Sequence, residues 1–418
     1  MIFKEFQLKM TIRRKMKTTL LPTMLSAVLF WGGCCCASPA MPKVKESKTT
    51  FALDALKEYV ASGALPGAIS VLSSGNVQEV ACVGWADPEK KRPISMNSTY
   101  MQCSQTKGFC GVTIAMLVEE GKLSLDEPVS KYLPEFKNLK VAVKDKEGKI
   151  SLVPAKNVLT VRMVMNHTGG FPFEIPTKAK KGWNRLSLRE TAREAAAQPL
   201  RFEPGTKALY SNTGIDIGAA VVEVITGKKW EDFLKERLLD PLGMKDTTFK
   251  PTEEQLKRSI VLHVLKKGSK PQFLAFNRWM PLPHNGSDVH PSAGAGLWTT
   301  AADQLKFYRM LMNLGMGDNG KRILKEETVK KLLAVSSRPK GLGNYSLGLT
   351  ANGVTMGHGG AWGTRCSVNW QKKQLQLWVV QLNGGPRPWD VSWRKAVNQF
   401  FAAKVDSSDV DAYTGRMK

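Results

Sequence analysis

The sequence is short of the features that usually declare a function. Its 418 residues include seven cysteines, and three of these, Cys34, Cys35 and Cys36, are consecutive near the N-terminus. Cys82, Cys103, Cys110 and Cys366 remain, too few to build a disulfide scaffold in a chain this long. With residues 103–110 helical, Cys103 and Cys110 would stand ~10 Å apart at about 1.5 Å per residue, beyond the ~7 Å reach of a bridge. Free, mostly buried thiols are expected. No internal repeat or low-complexity linker occurs. No Gly-x-Ser-x-Gly elbow occurs either, which argues against a Ser-His-Asp triad built on His358. The five histidines, His167, His263, His284, His290 and His358, lack paired metal-ligand spacing, so neither metal nor cofactor is expected. His284 and His290 flank a Pro/Gly/Asn loop and read as surface residues. His167 reads as hydrogen-bonded within its own turn. Trp298 and Trp362 read first as core packing and second as cleft lining.

Long apolar runs are also missing. The stretch Leu20–Trp31 falls short of the ~20 residues a spanning helix needs. It follows Arg13, Arg14, Lys15 and Lys17 and ends in Gly32-Gly33-Cys34, the layout of an export signal. Cleavage after Ala37 or Ala40 would give a secreted or periplasmic protein. "GGC" also resembles the end of a lipoprotein box, with Cys34 acylated and membrane contact limited to that anchor. A start at Met16 makes the signal more compact, and the arginine pair is a weak twin-arginine feature.

Acidic residues are outnumbered, 36 Asp and Glu against 61 Lys and Arg, for a formal net charge of +25. Such a balance suits anionic partners such as a cell-wall polymer. The basic residues are dispersed, with no aromatic-interleaved stripe or recognition motif, which speaks against nucleic acid.

What is present is an ordered core pattern. "GAISVLSSG" (67–75) and "VQEVACVGWA" (77–86), joined at a Gly-Asn turn, predict a hairpin. "GVTMGHGG", "WGTRCSVNWQ" and "QLQLWVVQLNGG" predict a matching strand set near the other end. Apolar spacing predicts helices over 51–62 and 391–404. The expectation is an α/β (α+β) fold, with an antiparallel sheet of five or more strands flanked by helices. Residues 1–40 would be the signal and 41–404 one catalytic domain. Its sheet would come from about 51–86 and 350–402, with a mostly helical insertion over about 125–300 and a polar, frayed tail at 405–418.

Three short stretches carry chemistry. Ser104-x-x-Lys107 puts an amine one helical turn from a hydroxyl, at the start of an apolar helix whose burial would lower the lysine pKa. Tyr210-x-Asn212 follows the Pro204-Gly205 turn and opens a second apolar helix. His358-x-Gly360 ends a strand where glycines let a ligand approach the backbone.

In this order the three motifs resemble those of the serine β-lactamase and penicillin-binding protein superfamily, in its class C β-lactamase, DD-peptidase and family VIII esterase branch. "LVEEGKLSLDEPVSKYLPEF", "MNHTGGFP", "FEPGTKALYSN", "DPLGMKDTTF" and "AGAGLWTTAADQLKFYRML" resemble that branch too, over about residues 52–402. The resemblance implies Ser104 as the acylated nucleophile, with Lys107 and Tyr210 sharing its proton and Tyr210 as base for deacylation. It implies Asn212, His358 and Gly360 as substrate-binding residues, and the amides of Ser104 and Ala361 as the oxyanion hole. His358 stands where class C enzymes carry Lys, a permanent cation suited to a β-lactam carboxylate, so a small-molecule or peptide ester or amide substrate is expected. The alternative is a non-catalytic cell-wall or ligand-binding protein that keeps the fold.

Overall fold

The computed structural model describes residues 45–47, 50–175, 186–266, 272–273, 290–385, 387–403 and 410–411. The stretch expected to be an export signal, Cys34 and His284 lie outside the described residues.

The expected hairpin forms. β1 (Gly67–Ser74) and β2 (Val77–Asp87) pair antiparallel, Gly67 opposite Gly84 and Ser74 opposite Val77, and turn at Gly75 with φ +59°. β3 (Thr350–Ala351), β4 (Thr355–Gly360), β5 (Thr364–Asn369) and β6 (Gln374–Val379) supply the other half. The order is β3-β4-β5-β6-β1-β2, each neighbouring pair antiparallel, and β6 meets β1 with Val379 opposite Ile69. Chain ends over two hundred residues apart in sequence thus share one sheet. Beyond β2 the edge adds Lys45–Ser47, parallel to β2, and then Val410–Asp411. The expected frayed tail therefore contributes two paired residues.

Side-chain alternation sends each strand's residues to two different cores. Ala68 and Leu72 of β1 and Trp378 of β6 meet α1 (Phe51–Ala61) and the C-terminal helix Pro388–Ala402 through Leu56, Trp389, Trp393 and Phe400. Ser70 on this buried face accepts the Trp393 indole N–H at 2.8 Å, so its hydroxyl is paired. Ile69, Val71, Leu375 and Leu377 face the opposite way, into the larger core.

The centre of that larger core is α2 (Thr106–Glu119), in which every residue from Thr106 to Leu117 is buried. A helix apolar all round has no solvent face, which matches its run of Phe, Val, Ile, Ala, Met and Leu. Close contact with residues 347–348 presses it into place. A Cβ on Gly111 would stand 1.7 Å from Leu347 O, and one on Gly348, at φ +74°, 2.1 Å from Lys107 O. Glycine on both sides lets two backbones touch there. α3 (Asn212–Thr226) packs beside α2, buried from Asn212 to Val222 and closed by Gly227 in the left-handed conformation.

The described part of the inserted region carries more helix than strand, and it includes an antiparallel hairpin, Lys140–Lys144 with Ile150–Pro154, that the sequence reading did not anticipate. No described helix is long and apolar enough to cross a membrane.

Candidate active site

The 3-10 turn Cys103–Gln105 runs directly into α2 and carries Ser104. Cys103 is held at φ +52°, a conformation costly for a residue with a side chain. The residue before Ser104 is buried, whereas Ser104 keeps access to solvent.

One turn later Lys107 is fully buried. Its Nζ donates to Asn212 Oδ1 at 2.6 Å and to Gly294 O at 2.7 Å, and lies 3.2 Å from Ser104 Oγ. Burial pushes its pKa down to about 7, against the opposing attraction of Asp216. A neutral amine has two N–H bonds and one lone pair. With both N–H groups taken by Asn212 and Gly294, the lone pair is left facing the serine hydroxyl. Tyr210 closes the group from the other side. Its hydroxyl is hydrogen-bonded to Ser104, its ring centroid is 4.5 Å from Lys107 Nζ, and burial raises its pKa to about 12.

The third motif arrives on β4. His358 is half-buried, 6.1 Å from Tyr210 between ring centroids. Its Nδ1 is 2.6 Å from Gly359 O and its Nε2 is 2.9 Å from Tyr345 Oη. The carbonyl can only accept, so Nδ1 carries the proton and Nε2 accepts from the tyrosine. Desolvation and the proximity of Lys107 push the His358 pKa down to about 3, with the Gly359 carbonyl opposing. In place of a permanent cation, the third motif thus presents a neutral imidazole at pH 7. At Gly360 a Cβ would fall 2.2 Å from Thr364 Oγ1 and 2.4 Å from Gln102 O, so glycine is required where β4 meets the nucleophile turn. The amides of Ala361 and Trp362 approach the Cys103 thiol. Both amides thus lie near the residue that precedes Ser104.

The fold brings together Ser104, Lys107, Tyr210, Asn212 and His358, and a family model described as Beta-lactamase matches residues 53–395. The chain belongs to the Beta-lactamase family. Protein Rv1367c of Mycobacterium tuberculosis (strain ATCC 25618 / H37Rv) is 28% identical over 284 residues, 66% of this chain and 69% of that one. EstCE1, a hydrolase with promiscuous acyltransferase activity, shares the fold with TM-score 0.65 and 20% identity, covering 83% of this chain and 97% of its own. Simvastatin synthase (LovD) from Aspergillus terreus, unliganded, gives TM-score 0.70 at 19% identity over 84% and 98% of the two chains.

Several residues of this family member were not legible in its motifs. Asp216 lies one turn beyond Asn212 on α3, is buried, and accepts from Ser292 Oγ at 3.2 Å and Gly294 N at 3.1 Å. It thereby holds the loop whose Gly294 carbonyl binds Lys107. His290, expected at the surface, is buried, with Nε2 3.2 Å from Asp216 and Nδ1 donating to Leu186 O at 2.7 Å. Burial opposes its charge, but Asp216 prevails and its pKa is raised. His167 is buried too, at φ +67° between the rings of Tyr210 and Tyr345, each 4.5 Å away. Its Nδ1 accepts from Ser211 N at 3.3 Å, so it bonds to the second motif rather than within its turn. Trp298 and Trp362 pack with Met101, Cys103 and Leu262 beneath the nucleophile, the core reading of the two. Cys82, Cys103, Cys110 and Cys366 are free. Among the described residues no group of three or more His, Cys, Asp or Glu side chains could hold a metal ion.

Proposed function

We propose that the protein is an exported serine hydrolase that works through an acyl-enzyme on an ester or amide. The observation that carries this reading is the Lys107 amine, buried, doubly tethered through its N–H groups, and 3.2 Å from an accessible Ser104 Oγ. Lys107 takes the hydroxyl proton as Oγ attacks the substrate carbonyl carbon. The amides of Ser104 and Ala361 stabilise the resulting oxyanion. Collapse breaks the bond to the leaving group, which departs with a proton passed through Tyr210. Water then enters and gives a proton to Lys107 as its oxygen attacks the acyl carbon; collapse breaks the bond to Ser104 Oγ, which takes that proton back as the acyl group leaves as a carboxylic acid.

The division of labour differs from the one the resemblance implies. Tyr210 is a phenol at neutral pH because burial raises its pKa, whereas Lys107 titrates near pH 7. Lys107 is therefore the base in both half-reactions and Tyr210 the proton carrier. A neutral His358 provides no cation for a β-lactam carboxylate, which favours esters and amides.

The reading is tested with a panel of nitrocefin, p-nitrophenyl esters of increasing chain length and D-Ala-D-Ala peptides. Hydrolysis of esters faster than nitrocefin, abolished in Ser104→Ala, is expected. Turnover that survives in Ser104→Ala would overturn the acyl-enzyme at Ser104, and folded wild-type protein inert toward the whole panel would overturn the hydrolase reading in favour of a binding protein.

A further inference from the structure

One carboxylate of the site has no task in the reaction just described. Glu174 belongs to the segment that closes over the start of α3, where Phe173 O accepts from the amides of Asn212 at 2.9 Å and Thr213 at 3.4 Å. The Glu174 side chain is half-buried and hydrogen-bonded to that of Asn212. Asn212 Oδ1 already accepts from Lys107, so the bond to Glu174 comes from Nδ2–H and the carboxylate accepts it. Asn212 is thus fixed from both sides. A carboxylate has about four lone-pair sites, so one such bond leaves it able to accept from a ligand.

The preceding residue, Phe173, is 52% exposed, and its ring lies 6.1 Å from that of Tyr210 at an interplanar angle of 21°. Aromatic faces attract a cation through their quadrupoles, and an adjacent carboxylate neutralises it. Such a set suits an alkylammonium group. Across the cleft His358 has both ring nitrogens engaged. The Arg338 guanidinium donates to Asn166 O and Leu342 O and stacks over the Tyr345 ring at 4.9 Å.

We propose that Glu174, with the rings of Phe173 and Tyr210, binds a positively charged group of the substrate, so that the enzyme selects esters or amides carrying an ammonium close to the scissile carbonyl. This inference rests on the acyl-enzyme reading above and adds a substrate class to it.

Two matched pairs test it, one for each side of the ester. On the acyl side, p-nitrophenyl 4-(trimethylammonio)butanoate is compared with its neutral isostere, the 5,5-dimethylhexanoate. On the alcohol side, butyrylthiocholine is compared with 3,3-dimethylbutyl thiobutyrate. The quantity read is the ratio of kcat/KM for cation over isostere, in wild type and in Glu174→Gln, which keeps an oxygen for Asn212 and removes the charge. In at least one pair that ratio is expected to fall about tenfold in the variant, the effect of one unit charge ~6 Å away at an effective dielectric between those of protein and water. Phe173→Ala is expected to lower it in the same pair. An unchanged ratio in both pairs, with turnover still dependent on Ser104, overturns the inference and leaves the hydrolase reading standing. Absence of Ser104-dependent turnover on all four compounds overturns both.

Discussion

At the scale of single residues, the chemistry depends on how many partners one amine can hold. Asn212 and Gly294 occupy two directions around Lys107 Nζ, and Ser104 occupies the third. Protonation fills the lone pair, so kcat/KM should fall about tenfold for each pH unit below the Lys107 value of about 7. A pH–rate profile measured on a neutral ester checks this, because such a substrate has no titration of its own in that range. Lys107→Ala and Tyr210→Phe should each lower turnover by at least ~100-fold without unfolding the protein. Near-normal rates in either variant would contradict the assigned roles. Asp216→Ala would leave Gly294 N–H and Ser292 Oγ without their buried acceptor and should destabilise the protein by about 2–4 kcal/mol, read by urea unfolding. Helical spacing put Ser104 and Lys107 on one face, and the set with Tyr210 and Asn212 was legible through the resemblance of the ordered motifs to those of the family. Gly294, Tyr345 and the buried His290 were not. A backbone carbonyl has no sequence signature, and the partners of His290 and Tyr345 come from elements far away or from across a strand.

At the scale of elements, the contact between α2 and residues 347–348 sets where the nucleophile turn sits. Gly111→Ala drives a methyl group to within 1.7 Å of Leu347 O, and backbone cannot swing aside as a side chain would. The substitution should cost about 2–3 kcal/mol of stability, at the upper end of overpacking penalties, and should slow turnover as Lys107 shifts. Thermal unfolding and kinetics on the same sample check both. Periodicity made the principal elements readable: the hairpin at 67–87, the strands of 355–379, and the helices that open at Phe51 and Pro388. It failed at 140–154, where Val143, Ile150 and Leu152 are exposed and Val141 alone is buried, so the apolar residues do not mark one face of the hairpin.

For the whole molecule, joining both chain ends in one sheet makes the two-layer cover of α1 and the C-terminal helix part of the same cooperative unit as the catalytic face. Trp393 is buried against β1 and β6, bonded to Ser70 and packed 4.9 Å from Trp378 between ring centroids. Trp393→Ala should cost about 3–5 kcal/mol, and Trp393→Phe less, because the phenyl ring refills most of the space while the Ser70 bond is lost. Both variants should keep the wild-type KM at temperatures where they remain folded, since the layer they disturb lies on the sheet face opposite α2.

The central claim is that the hydroxyl at position 104 becomes covalently acylated with Lys107 as its base. Its most direct test is labelling with a fluorophosphonate followed by peptide mapping of the adduct by mass spectrometry. The account predicts a single adduct on Ser104, absent from Ser104→Ala and formed far more slowly in Lys107→Ala. An adduct elsewhere in the chain, or folded wild-type protein that is never labelled, would contradict it.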